Sequence, residues 1–387
     1  MTKDIRDRLA AKPFQPFVVH KPTKQWIAAW LLLLLVPTAA LAAAPIRTEK
    51  PDGTPNWAVW MAQGAFGMMT HYLITPKGST PQEKTADLNR IVDSFDLKRY
   101  MEQFDETGAD WLIFTLGQGT GYLSSRNDYI DRLEAGWTPR RDLIPEIGKE
   151  LQRRGKRMIV YFPGAHTAAD PTVKRLLGLG TDGYADRHNQ FVRDYSMKLG
   201  RLCSGWWFDS CSPQDNAAWQ KEMDACRAGN PDSVIAFSGA EFCAAGGQVR
   251  PRCPIEDYHA GEIHLLEDGK IRTDFISPPG VDVIITAEGK LRKKGQEAKF
   301  YMPTSQFIDN VQWHGLLPID LTFNPAVPNQ YCHYTDKQLF QFVDDVKAVG
   351  GALTINVPLE TETGHIPQDT HAQLVRLGQH LRASRKN

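Results

Sequence analysis

The chain has 387 residues, of which 45 are basic and 45 acidic, so its formal net charge at pH 7 is zero. A neutral chain gives no electrostatic reason to expect nucleic acid or an anionic membrane surface as a partner. With 42% hydrophobic residues, ten Trp and eleven Tyr, it can bury a large core and still line a small-ligand cleft with aromatic rings.

The N-terminal segment has the pattern of a secretory signal peptide. Basic residues precede an apolar block at 26–37, and a run of small residues follows at 39–44. A basic region, a short apolar region and an Ala-X-Ala site are typical of export. We therefore expect residues 1–44 to be a signal peptide and its cleavage region, cut after Ala42, and the protein to be periplasmic or extracellular. An uncleaved anchor is the alternative, although the apolar block is shorter than the roughly 20 residues of a spanning helix.

The six cysteines give no metal-binding pattern. No CxxC pair or Cys/His spacing typical of zinc is present, and we predict neither a metal nor a cofactor. An even count after export permits disulfides, and Cys243 with Cys253 would close a local loop. Plain buried thiols are the alternative, since a chain of this length does not need covalent staples.

Apolar strands and amphipathic helices alternate along the rest of the chain. The stretch 75–94, which contains three turn residues, is expected to be a loop, and a hairpin is expected at 283–291. About eight strand–helix units without a linker favour a single-domain (β/α)8 TIM-type barrel over residues 45–387, rather than an open doubly wound sheet. The predicted strands lie at 64–71, 110–116, 157–162, 204–209, 233–238, 299–302 and 352–357, and the predicted helices at 97–107, 141–154, 186–199, 216–228, 339–349 and 371–382.

One short strand, Ser204–Ser210, ends on a single carboxylate, Asp209. In parallel α/β proteins the carboxyl ends of strands carry the chemistry, because only there do side chains leave the packed core. Three aromatic residues directly before Asp209 would give it a partly dry wall and a surface for a sugar ring. The competing interpretation is that Asp209 only caps the next helix.

Five stretches of the chain carry motifs in a recognisable order. They are Phe66–Tyr72, Thr107–Tyr122, Arg141–Ile147 with Arg153–Tyr161, Trp206–Ser210, and Ala352–Pro358 with Thr363–Pro367. In this order they resemble the catalytic domain of the α-L-fucosidases of glycoside hydrolase family 29, whose corresponding motifs include FGIFIHWG, LWFDG and NLLLNIGP. The resemblance covers roughly residues 57–384 and implies a (β/α)8 barrel; the C-terminal β-sandwich of typical members has no counterpart here.

The resemblance also implies roles for individual residues. Asp209 matches the nucleophile of a retaining mechanism, and His71 and Trp207 match residues that shape the sugar pocket. The family takes its acid/base glutamate from a later, variable loop, for which the choices here are, in order, Glu262, Glu241 and Glu256. A retaining glycosidase needs its two carboxyl groups about 5–5.5 Å apart, one ionised and one protonated.

The chain departs from the family at several positions that would contact the sugar. Gln118 and Gly119 stand where the family has two adjacent histidines, and Tyr72 stands where it has Trp. We take Gln118, Tyr122, Tyr72 and Trp313 as further candidate sugar contacts. The competing interpretations are core packing for His71 and Trp207, and loop packing for Gln118 and Tyr122. For Trp313 the alternative is a plain surface position, and for Glu262 it is a solvated loop charge.

These observations predict an exported retaining exo-glycosidase of α-L-fucosidase type, with carbohydrate as its partner. It would hydrolyse a terminal α-linked sugar by double displacement, with an Asp nucleophile and a Glu acid/base. The alternatives are a non-catalytic glycan-binding barrel and a glycosidase of the same architecture that acts on another sugar.

Overall fold

The computed structural model describes residues 44–163, 172–239, 249–273, 283–285, 291–293, 299–320 and 333–384. These residues belong to one compact unit, Ala43–Asn387. Within them, no helix has the length and apolar character needed to cross a membrane. The signal-peptide prediction and Glu241, Cys243 and Cys332 fall outside the described residues.

The strands fall into three groups along the chain. The first five are β1 (Gly67–Thr70), β2 (Trp111–Thr115), β3 (Arg157–Phe162), β4 (Gly205–Phe208) and β5 (Val234–Phe237). Seven short strands follow: β6 (Leu266–Glu267), β7 (Lys270–Arg272), β8 (Val283–Ile285), β9 (Leu291–Lys293), β10 (Phe300–Tyr301), β11 (Phe307–Ile308) and β12 (Val311–Gln312). The last two are β13 (His314–Pro318) and β14 (Ala352–Val357).

The long strands form one parallel sheet in the order β13-β14-β1-β2-β3-β4-β5. Their near-continuous apolar sequences suit this arrangement, since parallel strands are covered on both faces. The short strands make three small antiparallel sheets beside it. One of these pairs β8 with β9, which confirms the predicted hairpin.

The extended segment Asp257–Ile263 fills the gap between β5 and β13. The Asp257 N–H donates to the carbonyl oxygen of Ile235 in β5 at 2.9 Å, and the Ile263 N–H donates to that of Leu316 in β13 at 2.8 Å. The segment is thus the eighth member of a ring whose other seven members are the strands of the parallel sheet. The ring confirms the predicted TIM-type barrel.

Nine helices lie within the described residues, with most of them between successive strands. They are α1 (Val59–Gln63), α2 (Pro81–Ser94), α3 (Leu97–Thr107), α4 (Asp128–Leu133), α5 (Leu143–Arg153), α6 (Tyr184–Leu199), α7 (Asn216–Arg227), α8 (Asp336–Ala348) and α9 (Gln368–Ser384). A π-helical turn, Thr172–Leu176, precedes α6, and a 3-10 turn, Gly200–Leu202, follows it.

The loop predicted at 75–94 is wrong for most of its length, because α2 begins at Pro81. The Thr80 hydroxyl accepts the N–H of Glu83, and the Glu83 side chain accepts the N–H of Thr80. This capping box starts the helix, and proline suits the first turn because its nitrogen needs no partner there. The proline marks the start of a helix here, not a loop.

Alternation along each strand sorts the core into two layers. One cluster fills the inside of the ring with Trp111, Tyr161, Trp207 and Tyr258 among its buried members. The alternate residues, such as Trp206 and Phe208 of β4, belong to a larger cluster that packs against the helices. This period of two decides which residues at a strand end face the ring.

Candidate active site

Two carboxyl side chains face the ring at the carboxyl ends of its members. Trp207 belongs to the interior cluster, so Asp209, two residues further along, faces the same way. Tyr258 and Ala260 are interior too, and Glu262 continues their side of the closing segment. A negative charge on Glu262 would raise the pKa of Asp209, so the two carboxyl groups lie within electrostatic reach of each other.

Asp209 is almost fully buried but well supplied with hydrogen-bond donors. Its exposed fraction is 7%, and burial is the main reason why its pKa is raised, with the Glu262 charge second. The Tyr161 hydroxyl and the Ser210 side chain and backbone N–H donate to the carboxylate and lower its pKa. The Gln118 Nε2 also donates to Oδ2 at 2.6 Å. These donors stabilise the charged form of Asp209.

The backbone directly after Asp209 is strained. Ser210 has a φ of 53°, in the left-handed region that a residue with a Cβ seldom adopts. The Cys211 N–H donates to the Ser238 carbonyl oxygen at 2.6 Å, which ties this turn to the end of β5. Strain of this kind persists where the surroundings enforce it, and it clusters at functional sites. Here it turns the chain away at once and leaves Asp209 at the mouth of the ring.

Glu262 has fewer donors and more contact with solvent than Asp209. Its side chain is 19% exposed, and its Oε2 accepts a hydrogen bond from the Ser238 hydroxyl at 3.0 Å. The His264 Nε2 lies 3.7 Å from Oε1, but burial lowers the pKa of His264 to about 4, so the imidazole is neutral at pH 7. Burial raises the pKa of Glu262.

The unequal hydrogen bonding assigns the proton. Both groups have raised pKa values, and two nearby carboxylates avoid ionising together. The side chains of Gln118, Tyr161 and Ser210 all donate to Asp209, whereas Glu262 accepts from Ser238. We therefore assign the negative charge to Asp209 and the shared proton to Glu262.

Aromatic and amide side chains form the floor below the two acids. Tyr161 stacks on Trp207 with ring centroids 5.0 Å apart, and His71 meets the edge of Tyr161, also at 5.0 Å. The His71 Nδ1–H donates to the Asn356 side-chain oxygen at 3.0 Å. Burial lowers the pKa of His71 to about 4, so it is a neutral donor at pH 7. His71 and Trp207 thus contact Tyr161, which donates to Asp209, and their contact with a sugar stays a prediction.

Two predicted sugar contacts lie elsewhere. Tyr72 follows His71 and faces the opposite side of the sheet, where it packs on Phe95 at 5.2 Å and is 1% exposed. Trp313 precedes β13 at the amino end of the ring, opposite the acids, and is fully buried in the outer cluster. Neither side chain lines the site, so for both the predicted sugar contact is wrong. The period of two excludes Tyr72, and the strand direction excludes Trp313.

Of the other candidates, Tyr122 lies in the loop after β2 and stacks on Trp137 with ring centroids 4.9 Å apart. Glu256, the third choice for the acid/base, is fully buried, and its Oε2 accepts the Phe237 N–H at 2.9 Å, so its role is structural. Cys253 is a buried free thiol, and its proposed partner Cys243 is outside the described residues.

Four residues of the site are absent from the sequence-based candidates. They are Tyr161 and Asn356, which support Asp209 and His71, and Ser238 and His264, which contact Glu262. Tyr161, Asn356 and Ser238 lie at or just after the carboxyl ends of strands. This position in the sequence could have identified them as site residues. In the described part of the chain, no group of three or more His, Cys, Asp or Glu side chains is placed to hold a metal ion.

No protein-family model and no curated protein sequence matches the chain. Solved structures do match. The endo-fucoidan hydrolase MfFcnA9 of glycoside hydrolase family 107 is 18% identical, with a TM-score of 0.58 over 84% of this chain and 64% of that one. The α-L-fucosidase AlfC from Lactobacillus casei, in complex with α-L-fucose, is 14% identical, with a TM-score of 0.53 over 86% of this chain and 100% of that one.

A further endo-fucoidan hydrolase of family 107, MfFcnA4, is 15% identical, with a TM-score of 0.54. This chain spans about half of its length, 53%. Identities this low establish a shared fold, and the fold is the same TIM-type barrel that the closing segment completes.

Proposed function

We propose that the chain is an exported retaining glycosidase of α-L-fucosidase type that removes a terminal α-linked sugar. The observation that carries this proposal is the pair Asp209 and Glu262 at the carboxyl end of the ring. The two carboxyl groups lie within electrostatic reach of each other, and Asp209 accepts more hydrogen bonds than Glu262. The solved structures of the same fold are fucose-acting hydrolases, which supports fucose as the first sugar to test.

The reaction follows from the assigned protonation states. The Asp209 carboxylate attacks the anomeric carbon while Glu262 gives its proton to the leaving oxygen, so that a glycosyl ester forms and the glycosidic bond breaks. Glu262, now ionised, then takes a proton from water. The resulting hydroxide attacks the anomeric carbon, and Asp209 leaves as a carboxylate. The neutral imidazole of His71 and the amide of Asn356 lie where they can orient sugar hydroxyls.

The replacement of the family's two histidines by Gln118 and Gly119 bears on the choice of sugar. Gln118 donates to Asp209, so part of its hydrogen-bonding capacity serves the carboxylate and not a sugar hydroxyl. We therefore propose that the enzyme accepts an α-linked fucose or a sugar of closely related shape, and the substrate screen must include both.

The test is a screen of the secreted protein on aryl glycosides of α-L-fucose and α-D-galactose. We expect turnover of one of them, and at least a thousandfold lower kcat in Asp209→Asn. Azide should partly restore activity to Asp209→Asn by forming a glycosyl azide. Asp232→Asn, on an exposed surface ion pair, is the matched control and should retain wild-type kcat.

Two results would contradict the proposal. Wild-type kinetics in Asp209→Asn would exclude it as the nucleophile. Sugar binding by a wild-type protein that turns over no glycoside would instead support a non-catalytic glycan-binding barrel. Export is tested separately by N-terminal sequencing of the secreted protein, which should begin just after Ala42.

A further inference from the structure

A groove runs across the loops that follow β1, β2 and β3. We infer that it binds further sugar units of the glycan whose terminal sugar enters the site, an inference that rests on the proposed function. Two adjoining cavities of about 230 and 560 Å³ form the groove, and they share Pro81, Thr85, Ala135 and Gly136 in their walls. Volumes of this order suit small ligands.

The smaller of the two cavities lies among loops at the same end of the ring as Asp209. Its walls come from the β1–α2 connection through Ser79 and Thr80, from the β2–α5 connection through Tyr122 and Trp137, and from the β3–α6 connection through Arg175. All of these connections leave the carboxyl ends of their strands. In this fold the loops at that end build the ligand site.

An aromatic pair at one end of the groove is held rigidly. Trp137 stacks on Tyr122, its Nε1 donates to Glu134 at 2.9 Å, and the guanidinium of Arg175 lies 5.2 Å from its ring centroid. The carbonyl oxygen of Trp137 accepts the Leu123 N–H at 2.9 Å. A platform fixed before binding loses little conformational entropy when a ligand settles on it.

A short stretch of chain connects this platform to the proposed nucleophile. Gln118 donates to Asp209, and Tyr122 lies four residues later in the same loop. Four residues span at most about 14 Å when fully extended. A chain of sugar rings with its first unit at Asp209 can therefore reach the Tyr122 platform within a few units.

The charges around the groove favour a neutral chain. Arg175 forms a two-point ion pair with Glu134 at 2.5 and 2.6 Å, and Arg140 pairs with Asp93 at 3.2 Å. These two cations are already balanced, and Lys84, in the wall of the smaller cavity, is the third cation of the groove. The walls of the groove also contain aromatic rings, hydroxyl groups and the Asn89 amide. Aromatic rings can pack on sugar rings, and the hydroxyl and amide groups can bond sugar hydroxyls.

The experiment compares a long and a short substrate. The probes are a neutral trisaccharide of α-linked L-fucose and 4-nitrophenyl α-L-fucopyranoside, tested on the wild type, Trp137→Ala, Tyr122→Ala and the control Trp57→Ala. Trp57 is an exposed tryptophan (53%) before β1, at the amino end of the ring. We expect the ratio of kcat/KM for the trisaccharide to that for the aryl fucoside to fall at least tenfold in Trp137→Ala and Tyr122→Ala, and to stay constant in Trp57→Ala.

An unchanged ratio in both groove variants would overturn the inference, and Tyr122→Ala decides alone if Trp137→Ala does not fold. If the wild type hydrolyses neither probe, fucose is excluded as the sugar of the proposed function, and the groove is tested by calorimetric binding of the trisaccharide. At least a tenfold weaker Kd in a groove variant, with Trp57→Ala unaffected, would still support the groove. Equal binding by all variants, or no binding by the wild type, would overturn it.

Discussion

At the scale of single residues, the site depends on two acids whose pKa values are both raised by burial. Burial raises the pKa of both Asp209 and Glu262, and the donors Gln118, Tyr161 and Ser210 oppose this shift for Asp209. The reactive form, with Asp209 ionised and Glu262 protonated, exists between the two titration steps of the pair.

This leads to a prediction on the pH dependence of kcat/KM. The wild type should give a bell-shaped profile, since activity is lost at low pH when Asp209 gains a proton and at high pH when Glu262 loses one. In Glu262→Gln the alkaline limb should disappear. The acid limb should stay at the same pH, because Glu262 is already protonated and neutral when Asp209 takes up its proton.

The measurement uses an aryl fucoside whose moderately acidic phenol leaves faster with a proton from Glu262 but still leaves without one, so that Glu262→Gln retains a measurable rate. Glu256→Gln is a same-type substitution in a residue bonded to the Phe237 N–H and should leave both limbs in place. An acid limb that moves to lower pH in Glu262→Gln would show that Glu262 is ionised when Asp209 titrates, and would contradict the assignment of the proton to Glu262.

At the scale of elements, the loop between β2 and α4 positions Gln118. Gly117 has no room for a side chain, because an added Cβ would lie 2.8 Å from the Tyr122 carbonyl oxygen and 2.8 Å from Leu123 Cδ2. The Leu116 N–H holds the start of this loop by donating to the Tyr161 carbonyl oxygen at 2.9 Å. The loop is therefore fixed at its base and close-packed where it turns.

We predict that Gly117→Ala displaces Gln118 from Asp209 and lowers kcat/KM on the aryl fucoside by about tenfold, the order of one lost charge-assisted hydrogen bond. Gln118→Ala should lose a similar amount. In the double variant the two losses should not add, because both remove the same contact. Additive losses, measured in one double-mutant cycle, would show that Gly117 acts elsewhere.

At the scale of the whole molecule, the ring is closed by an irregular segment rather than a regular strand. Its seam with β13 includes two buried histidines, each of which contacts the other's backbone: His259 Nδ1 lies 3.2 Å from the His314 carbonyl oxygen, and His314 Nδ1 lies 3.0 Å from that of His259. Burial lowers their pKa values, to about 4 for His259 and about 3 for His314. Burial therefore favours neutral imidazoles in this seam.

We predict that this seam makes the fold sensitive to acid. The unfolded chain takes up protons on histidine near pH 6.5 while the folded chain does not, so this contribution to stability is lost as the pH falls from about 6.5 toward 4. Relative to His314→Gln, the wild type should lose up to about 3 kcal/mol of unfolding free energy over this range. Urea denaturation at several pH values measures it, and parallel pH curves for the two proteins would contradict the prediction.

The sequence by itself determined the alternation of strands and helices, the barrel architecture and the carboxylate at the end of β4. These features depend on contacts within a few residues, on the periods of two and 3.6, and on the resemblance of ordered motifs. The sequence predicted the positions of Asp209 and His71 because both residues directly follow apolar strands. The alternation of side chains along β1 can also be read from the sequence, and it would have excluded Tyr72, which was kept as a candidate.

Only the tertiary structure decided how the ring closes and what surrounds the acids. The segment Asp257–Ile263 has no strong strand period, and its hydrogen bonds go to β5 and β13, which are distant in sequence. Its place brings Glu262 toward Asp209, and likewise Gln118 and Tyr161 reach Asp209 from other loops and strands. Contacts between distant parts of the chain leave no local pattern, which is why the donors around the carboxylate and the groove beyond it emerge from the folded chain.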